Sequence, residues 1–468
     1  MENIYEGLQR FNRTNLVNEI SKIIPMDGKI LRRDIKDYIW PRLDFLRIKK
    51  RNDNRYFVLE RDYVETEWKD MISIHYINTS YYFENTVIRI HVFLSPNISE
   101  DSYAGFFTLR KIDEAKIMLS YIYPNWERVR YNSQSLCVMS YKKTIHIAGN
   151  QIVFFTYPLF VQDNITVACA QADIISMTQY LHHKFDYPKV RISELSSSYT
   201  IGKTKLYPTE GLNPSQMLQI FSSYGISIRY CAINAEITKK DSKMEMELEE
   251  FRQYIDYTVE SAIPVLLGIS VRDEEGRNRK HVIQIIGHAQ QNRQEYIIYD
   301  DSGYFLKQVL NMSGFVAAVE WRRLVEIVKQ YKSFLLYPIH EKVYLYYEDV
   351  RNLLIHEYNG AAHLKQLESE NISNVNKTRY ILADNKIVKK FLRKNILQKS
   401  SIEAVREEVR KLLNKGMAHY VWYCEIPLEE GYFIFIANPT YSRITSKSIF
   451  YNEQPIYTTE QMALLSYE

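Results

Sequence analysis

The sequence predicts an α+β fold spread over more than one domain. Three observations carry that expectation. A chain of 468 residues exceeds one average domain. Stretches of helical period and stretches of strict alternation are interspersed along it. A content of 46% hydrophobic and 25% charged residues is that of a globular protein, with no repeat or low-complexity tract. Lys and Arg number 60 against 56 Asp and Glu, a net charge of +4, so nothing electrostatic points to nucleic acid or an anionic membrane as partner. The 38 tyrosines fit a strand-rich chain of Lys/Ile/Asn/Tyr-biased composition.

Three regions are expected. Residues 1–148 form an α+β accessory domain that opens with helical patterning (Leu16, Ile20, Ile23, Ile24) ending near Pro25-Met26-Asp27-Gly28, and a second amphipathic stretch from Ile30 to Ile39. Strand alternation follows at Tyr56-Phe57-Val58-Leu59, at Ile72-Ser73-Ile74-His75-Tyr76 and at Val87 to Leu94, broken by Pro96 and Asn97. Residues 149–345 carry the chemistry. Residues 346–468 are an α+β accessory region: Ser400 as N-cap with Glu403 three residues on, Gly416 as the stop, then strands His419–Ile426 and Tyr432–Ala437 joined as a hairpin. The basic runs Arg47–Arg51 and Lys389–Lys394, and the acidic run Glu245–Glu250, read as solvated faces.

Cys169 is the most pointed residue. It stands where the turn-like stretch Gln162-Asp163-Asn164-Ile165-Thr166 gives way to a helical run reaching Leu181. A thiol at a helix start meets unpaired N–H groups and the positive end of the dipole, which favour the thiolate. Ile174, Met177 (or Thr178) and Leu181 recur at three to four residues, so one stripe of that helix is expected to face a core. The four cysteines, Cys137, Cys169, Cys231 and Cys424, show no CxxC spacing, which argues against a disulfide framework or a structural zinc site.

A hairpin supplies the partner. His281 to Gly287 is one strand, Gln290–Arg293 a turn, and Glu295 to Asp301 the return. Folding about Asn292 sets His281 beside Asp300 and Asp301, with the carboxylate that serves it left open between the two. The other aspartate is expected to start the turn with Ser302-Gly303. His288 faces position 295 with opposite parity and reads as a turn histidine. His182-His183 lack the three- or four-residue spacing of a metal pair and suit a helix C-terminus.

These residues resemble papain-like cysteine peptidases of the C39-like group. The likeness is carried by Tyr157-Pro158-Leu159-Phe160-Val161-Gln162, by Cys169 heading a helix that holds Ala172 and Ser176-Met177, and by Gly211–Met217 leading a helix to Tyr224-Gly225-Ile226. The strand Pro264–Ile269, His281 to Gly287 and Tyr296 to Asp300 complete it, over residues 155–345. Ala170 stands where such enzymes usually have Gly or Trp. The resemblance implies a papain-like domain with Cys169 as nucleophile, His281 as general base and acid, Asp300 as the orienting residue and Gln162 as the oxyanion-hole amide.

The implied activity is cysteine peptidase or amidase chemistry on a protein or peptide, through a thioester, without metal or organic cofactor. A deamidase or acyltransferase would use the same triad, and a binding module keeping the peptidase fold is the reading from another class. The flanking regions are expected to select substrate or meet a regulatory partner. No run approaches about eighteen apolar residues, so no membrane span is expected. The polar, acidic start Met1–Glu6 lacks an apolar stretch behind it, so a cytoplasmic protein is expected.

Overall fold

A computed structural model describes residues 8–10, 13–23, 56–74, 84–111, 117–122, 130–131, 134–162, 169–198, 211–233, 242–272, 278–289, 295–312, 315–330, 333–340, 343–364, 378–428, 431–439 and 446–451. The amphipathic stretch at 30–39, the basic run at 47–51 and the turn at 290–293 lie outside these residues. The fold is mixed α+β, built on antiparallel sheets. Among the described residues no helix is long and apolar enough to cross a membrane.

The chain divides into two compact units. The first comprises residues 1–236, 266–289 and 294–336. Its N-terminal helix, Arg13–Ile23, buries Leu16, Val17 and Ile20 at the expected helical spacing. A seven-stranded antiparallel sheet follows, in the spatial order Gln9–Arg10, Tyr56–Tyr63, Val87–Phe93, Tyr103–Arg110, Ile117–Ile122, Asn150–Phe160 and Tyr141–Ile147. Val87–Phe93 is buried along its whole length, because it is a central strand with both faces covered.

One expected strand is instead a helix. Ile72-Ser73-Ile74 lies in the helix Thr66–Ile74, whose buried face is Glu67, Trp68 and Met71. Two isoleucines at alternate positions fit either period, and the spacing of Trp68 and Met71 decides for the helix. The regional boundary expected after residue 148 falls on the tight Ala148-Gly149 turn, where both residues have positive φ. That turn joins two paired strands, so the strand running to Phe160 belongs to the N-terminal sheet.

A second sheet runs in the order Ser227–Ile233, Ser333–Ile339, Val265–Arg272, Asn278–Ala289, Glu295–Tyr299 and Val316–Glu320, and Gln134–Val138 also pairs with Asn278–Ala289. Helix Cys169–Phe185 packs against Asn150–Phe160 from the first sheet and Asn278–Ala289 from the second. It is consequently buried on every side from Ala170 to Leu181, and not only along the stripe expected from its apolar period. Helix Pro214–Ser223 starts as expected: Asn213 caps it, exchanging side-chain bonds with the backbone of Gln216 in a reciprocal capping box.

The second unit comprises residues 237–265, 290–293 and 337–468. Its four-stranded antiparallel sheet runs Arg379–Asp384, Tyr420–Leu428, Gly431–Ala437 and Ser446–Tyr451. Helices Asn385–Phe391 and Glu403–Leu413, with a π-helical turn at Leu392–Leu397, bury Val388, Leu392, Ile396, Val405 and Val409 against it. Ser400 is not the N-cap of the last helix. That position falls on Ile402, whose N–H donates to the Ser400 hydroxyl at 3.1 Å, and the helix ends with Asn414 ahead of Gly416. Arg379 is buried with Glu260, 2.6 Å away.

Two variants test this packing. A Cβ on Gly268 would lie 2.1 Å from ring carbons of Phe334, its cross-strand partner. Gly268→Ala should therefore destabilise the protein by about 1–3 kcal/mol in urea unfolding, with most of the loss absent in a Phe334→Ala background.

Glu65 tests burial of charge. Burial, and then the charge of Glu67, raise its carboxyl from 4.5 to about 8. The folded state thus keeps a proton that the unfolded chain releases above 4.5, so this group makes stability fall as pH rises from about 4.5 to 8. Glu65→Gln should raise the melting temperature relative to wild type by an increment that grows across that window.

Candidate active site

Cys169 is the first residue of its helix and is half-buried. His281 lies inside the strand Asn278–Ala289, three residues later than its start, and is almost fully buried. The returning strand pairs Gln284 with Tyr299 and Ile285 with Ile298, the register expected from folding about Asn292. A register shift between Ile285 and Gly287 then sets His288 opposite Tyr296. His288 is accordingly a buried strand histidine, flanked on its other side by the backbone of Cys137, and not a turn residue.

The His281 ring connects a carboxylate to the thiol. Its Nε2 is 2.9 Å from Asp300 Oδ1, and Cys169 is its other side-chain hydrogen-bond partner. Asp300 engages Nε2, which leaves Nδ1 as the ring nitrogen without a carboxylate. Burial by itself pushes the imidazole down, but the charge and hydrogen bond of Asp300, with Cys169, carry it well above its ordinary value.

Asp300 and Asp301 are adjacent and both fully buried, yet they differ in their partners. Asp300 Oδ1 also accepts from the Ser302 hydroxyl at 3.1 Å and the Ser302 N–H at 3.3 Å, and Oδ2 accepts from the Leu306 N–H at 3.1 Å. Burial alone would raise its carboxyl; the imidazole and these donors hold it below the ordinary range, as a carboxylate. Asp300 therefore both meets His281 and starts the turn, which its neighbour was expected to do. The turn closes with the Gly303 N–H donating to the Asp300 carbonyl at 3.2 Å, and Gly303 has φ +69.

Asp301 Oδ1 lies 4.0 Å from His281 Nε2. Neither of its oxygens closes a hydrogen bond of full geometry, although the N–H groups of Ser302 and Gln162 point toward it. Burial raises this carboxyl to about 7. Gln162 is half-buried two residues beyond the strand Asn150–Phe160, and its backbone adjoins Asp301. Residues 163–168, which include most of the turn-like stretch expected at Gln162–Thr166, lie outside the described residues. His281, Asp300 and Asp301 each offer a ligand atom within 4.8 Å of the others.

No protein-family model matches the sequence, and no curated protein matches it. The chemistry of the site therefore rests on its geometry.

Two residues the sequence reading did not single out support the site. Asp173, one helical turn after Cys169, is fully buried and accepts from Gln284 Nε2 at 2.8 Å; Gln284 Oε1 in turn accepts from the Tyr157 hydroxyl at 2.7 Å. Burial, and next the charge of Asp301, raise the Asp173 carboxyl well above its ordinary value. A charged residue set among Ala170, Ala172, Ile174 and Ile175 was the available signal, because a buried carboxyl demands a partner. The Phe160 backbone adds two ties: its N–H donates to Ser176 Oγ at 2.9 Å, and its carbonyl accepts from the Tyr299 hydroxyl.

His182 and His183 close the other end of the helix. His182 Nδ1 is 2.7 Å from the Tyr187 carbonyl, and His183 stacks on Tyr141.

Gln284→Ala would leave both the Asp173 carboxyl and the Tyr157 hydroxyl short of a partner in the interior. The expected loss is about 1–3 kcal/mol per orphaned group in urea unfolding, partly recovered when Tyr157→Phe is added.

Proposed function

We propose that the chain is a thiol hydrolase of the papain-like, C39-like type that cleaves a peptide or isopeptide bond. The observation that carries this reading is a buried imidazole bridging the half-buried Cys169 thiol and the ionised Asp300. That is the order of nucleophile, base and orienting carboxylate that acyl transfer requires. The sequence resemblance over residues 155–345 supports the same assignment.

In this reading His281 Nδ1 accepts the Cys169 proton, and the sulfur attacks the substrate carbonyl. Asp300 holds Nε2–H and offsets the charge of the imidazolium. The Cys169 backbone N–H and the Gln162 side-chain amide donate to the tetrahedral oxyanion, each worth roughly 3–4 kcal/mol in a comparable site. The intermediate collapses, the C–N bond breaks, and His281 hands its proton to the departing amine. Water, deprotonated by the same imidazole, then releases the acid from the thioester. Cys169 is free of disulfide and open enough to be approached, whereas Cys424 is fully buried and its thiol is pushed well up by that burial.

A thiol-reactive probe should label Cys169 much faster than Cys231 or Cys424, followed by peptide mass spectrometry. His281→Ala should slow that labelling about 10²-fold or more while circular dichroism stays that of the wild type. Uniform, slow labelling of the thiols in wild type would sink the assignment. With Cys169→Ala as a substrate trap, the captured bond identifies which amide is cleaved.

A further inference from the structure

We propose that His281, Asp300 and Asp301 form a binding site for a single divalent cation of the zinc type, and that an ion bound there holds the thiol chemistry off. Three fully buried carboxyls, Asp173, Asp300 and Asp301, surround one imidazole, an imbalance that an apolar interior does not tolerate. A small cation bound among them removes it.

The arrangement of lone pairs favours a cation. Both Asp301 oxygens and Asp173 Oδ2 are buried and complete no hydrogen bond of full geometry, and Asp301 Oδ1 lies 4.0 Å from His281 Nε2. In tetrahedral zinc sites nitrogen and oxygen donors stand about 2.0–2.2 Å from the metal, which places donors about 3.4 Å from one another. Here Nε2 is 2.9 Å from Asp300 Oδ1 and 4.0 Å from Asp301 Oδ1, values that bracket that spacing. All three ligand atoms lie within 4.8 Å of one another. The outer support is also present: Ser302 and Leu306 hold the Asp300 carboxylate. One imidazole with two carboxylates suits a first-row dication more than calcium, which prefers an all-oxygen shell.

Loading is a proton-for-metal exchange. The Nε2 proton shared with Asp300, and a proton held by the Asp301 carboxyl, are released to solvent, and the freed lone pairs pass to the cation. The ring then lacks the Asp300 support that orients it toward Cys169. The inhibitory part of the proposal rests on the thiol-hydrolase reading; the binding part does not.

The test titrates the full-length protein with Zn2+ against a metallochromic indicator, and separately with Co2+. A single equivalent of Zn2+ should bind wild type and Cys169→Ala, and not Asp301→Asn. Co2+-loaded wild type should show visible ligand-field bands without the intense near-ultraviolet absorption of a thiolate–cobalt bond. Labelling of Cys169 should slow in proportion to the fraction of protein loaded with Zn2+. Absence of stoichiometric binding by wild type overturns the site. So does binding that disappears in Cys169→Ala and carries thiolate–cobalt absorption, since the ion would then sit on the sulfur. Should Asp301→Asn fail to fold, the cobalt spectra of the other two proteins still decide. Tight binding together with a Cys169 that never labels quickly upholds the site and removes the hydrolase reading alone.

Discussion

The full burial of the Cys169 helix is the constraint on which the first unit depends. A helix covered on all sides between two sheets would normally be apolar all round. This one carries Asp173, Ser176, Thr178 and Gln179 in its interior turns. Each therefore needs a partner at a fixed position. Ser176 takes the Phe160 N–H, Asp173 takes Gln284, Thr178 returns to the Ile174 carbonyl, and Gln179 reaches both Glu67 and Tyr121. The first two bonds lock the helix to the strand that leads to Gln162 and to the strand that carries His281. A rotation or a slip of one turn would break them, so the thiol and the imidazole meet as a consequence of polar bookkeeping deeper in the core.

The two aspartates show how little sequence distance is needed to give neighbouring groups different chemistry. Asp300 is an anion because a turn of its own making supplies N–H and hydroxyl donors, and the imidazole adds a charge. Asp301 occupies the same interior with N–H groups aimed at it but no completed bond. Local backbone geometry, more than depth of burial, separates the hydrogen-bonded carboxylate from its neighbour.

Much of this arrangement was legible in the residues. Hairpin register is fixed by turn position and the two-residue period, so Gln284 could be set opposite Tyr299 without coordinates. The register shift beyond Ile285 was not readable, because an extra strand residue leaves no compositional mark when every neighbour is apolar. Ile72 and Ile74 were misleading since two residues cannot distinguish periods, and Ser400 since a Ser-x-x-Glu pattern names a cap only where the backbone turns. Hairpin register narrowed the partner of His281 to Asp300 or Asp301 and only the resemblance pointed to Asp300, because the two differ in hydrogen bonds to His281, Ser302 and Leu306. The mixed α+β architecture followed from periodicity, whereas the pairing of the strand leading to Phe160 with the N-terminal sheet was not legible, because strand pairing is a long-range property.

The contacts that tie the helix down have a consequence for synthesis. Tyr157 and Gln284 are 127 residues apart, and Phe160 and Tyr299 139. At about 5–20 residues per second, a ribosome takes on the order of ten seconds to pass from Cys169 to Asp300. Throughout that interval the nascent chain carries the sulfur without the imidazole, the carboxylate or the strand that would bury its helix. The contacts that hold the helix in place would thus form only on completion of the strand pair, and a chain ending before the second hairpin strand would lack the Asp300 carboxylate that His281 meets.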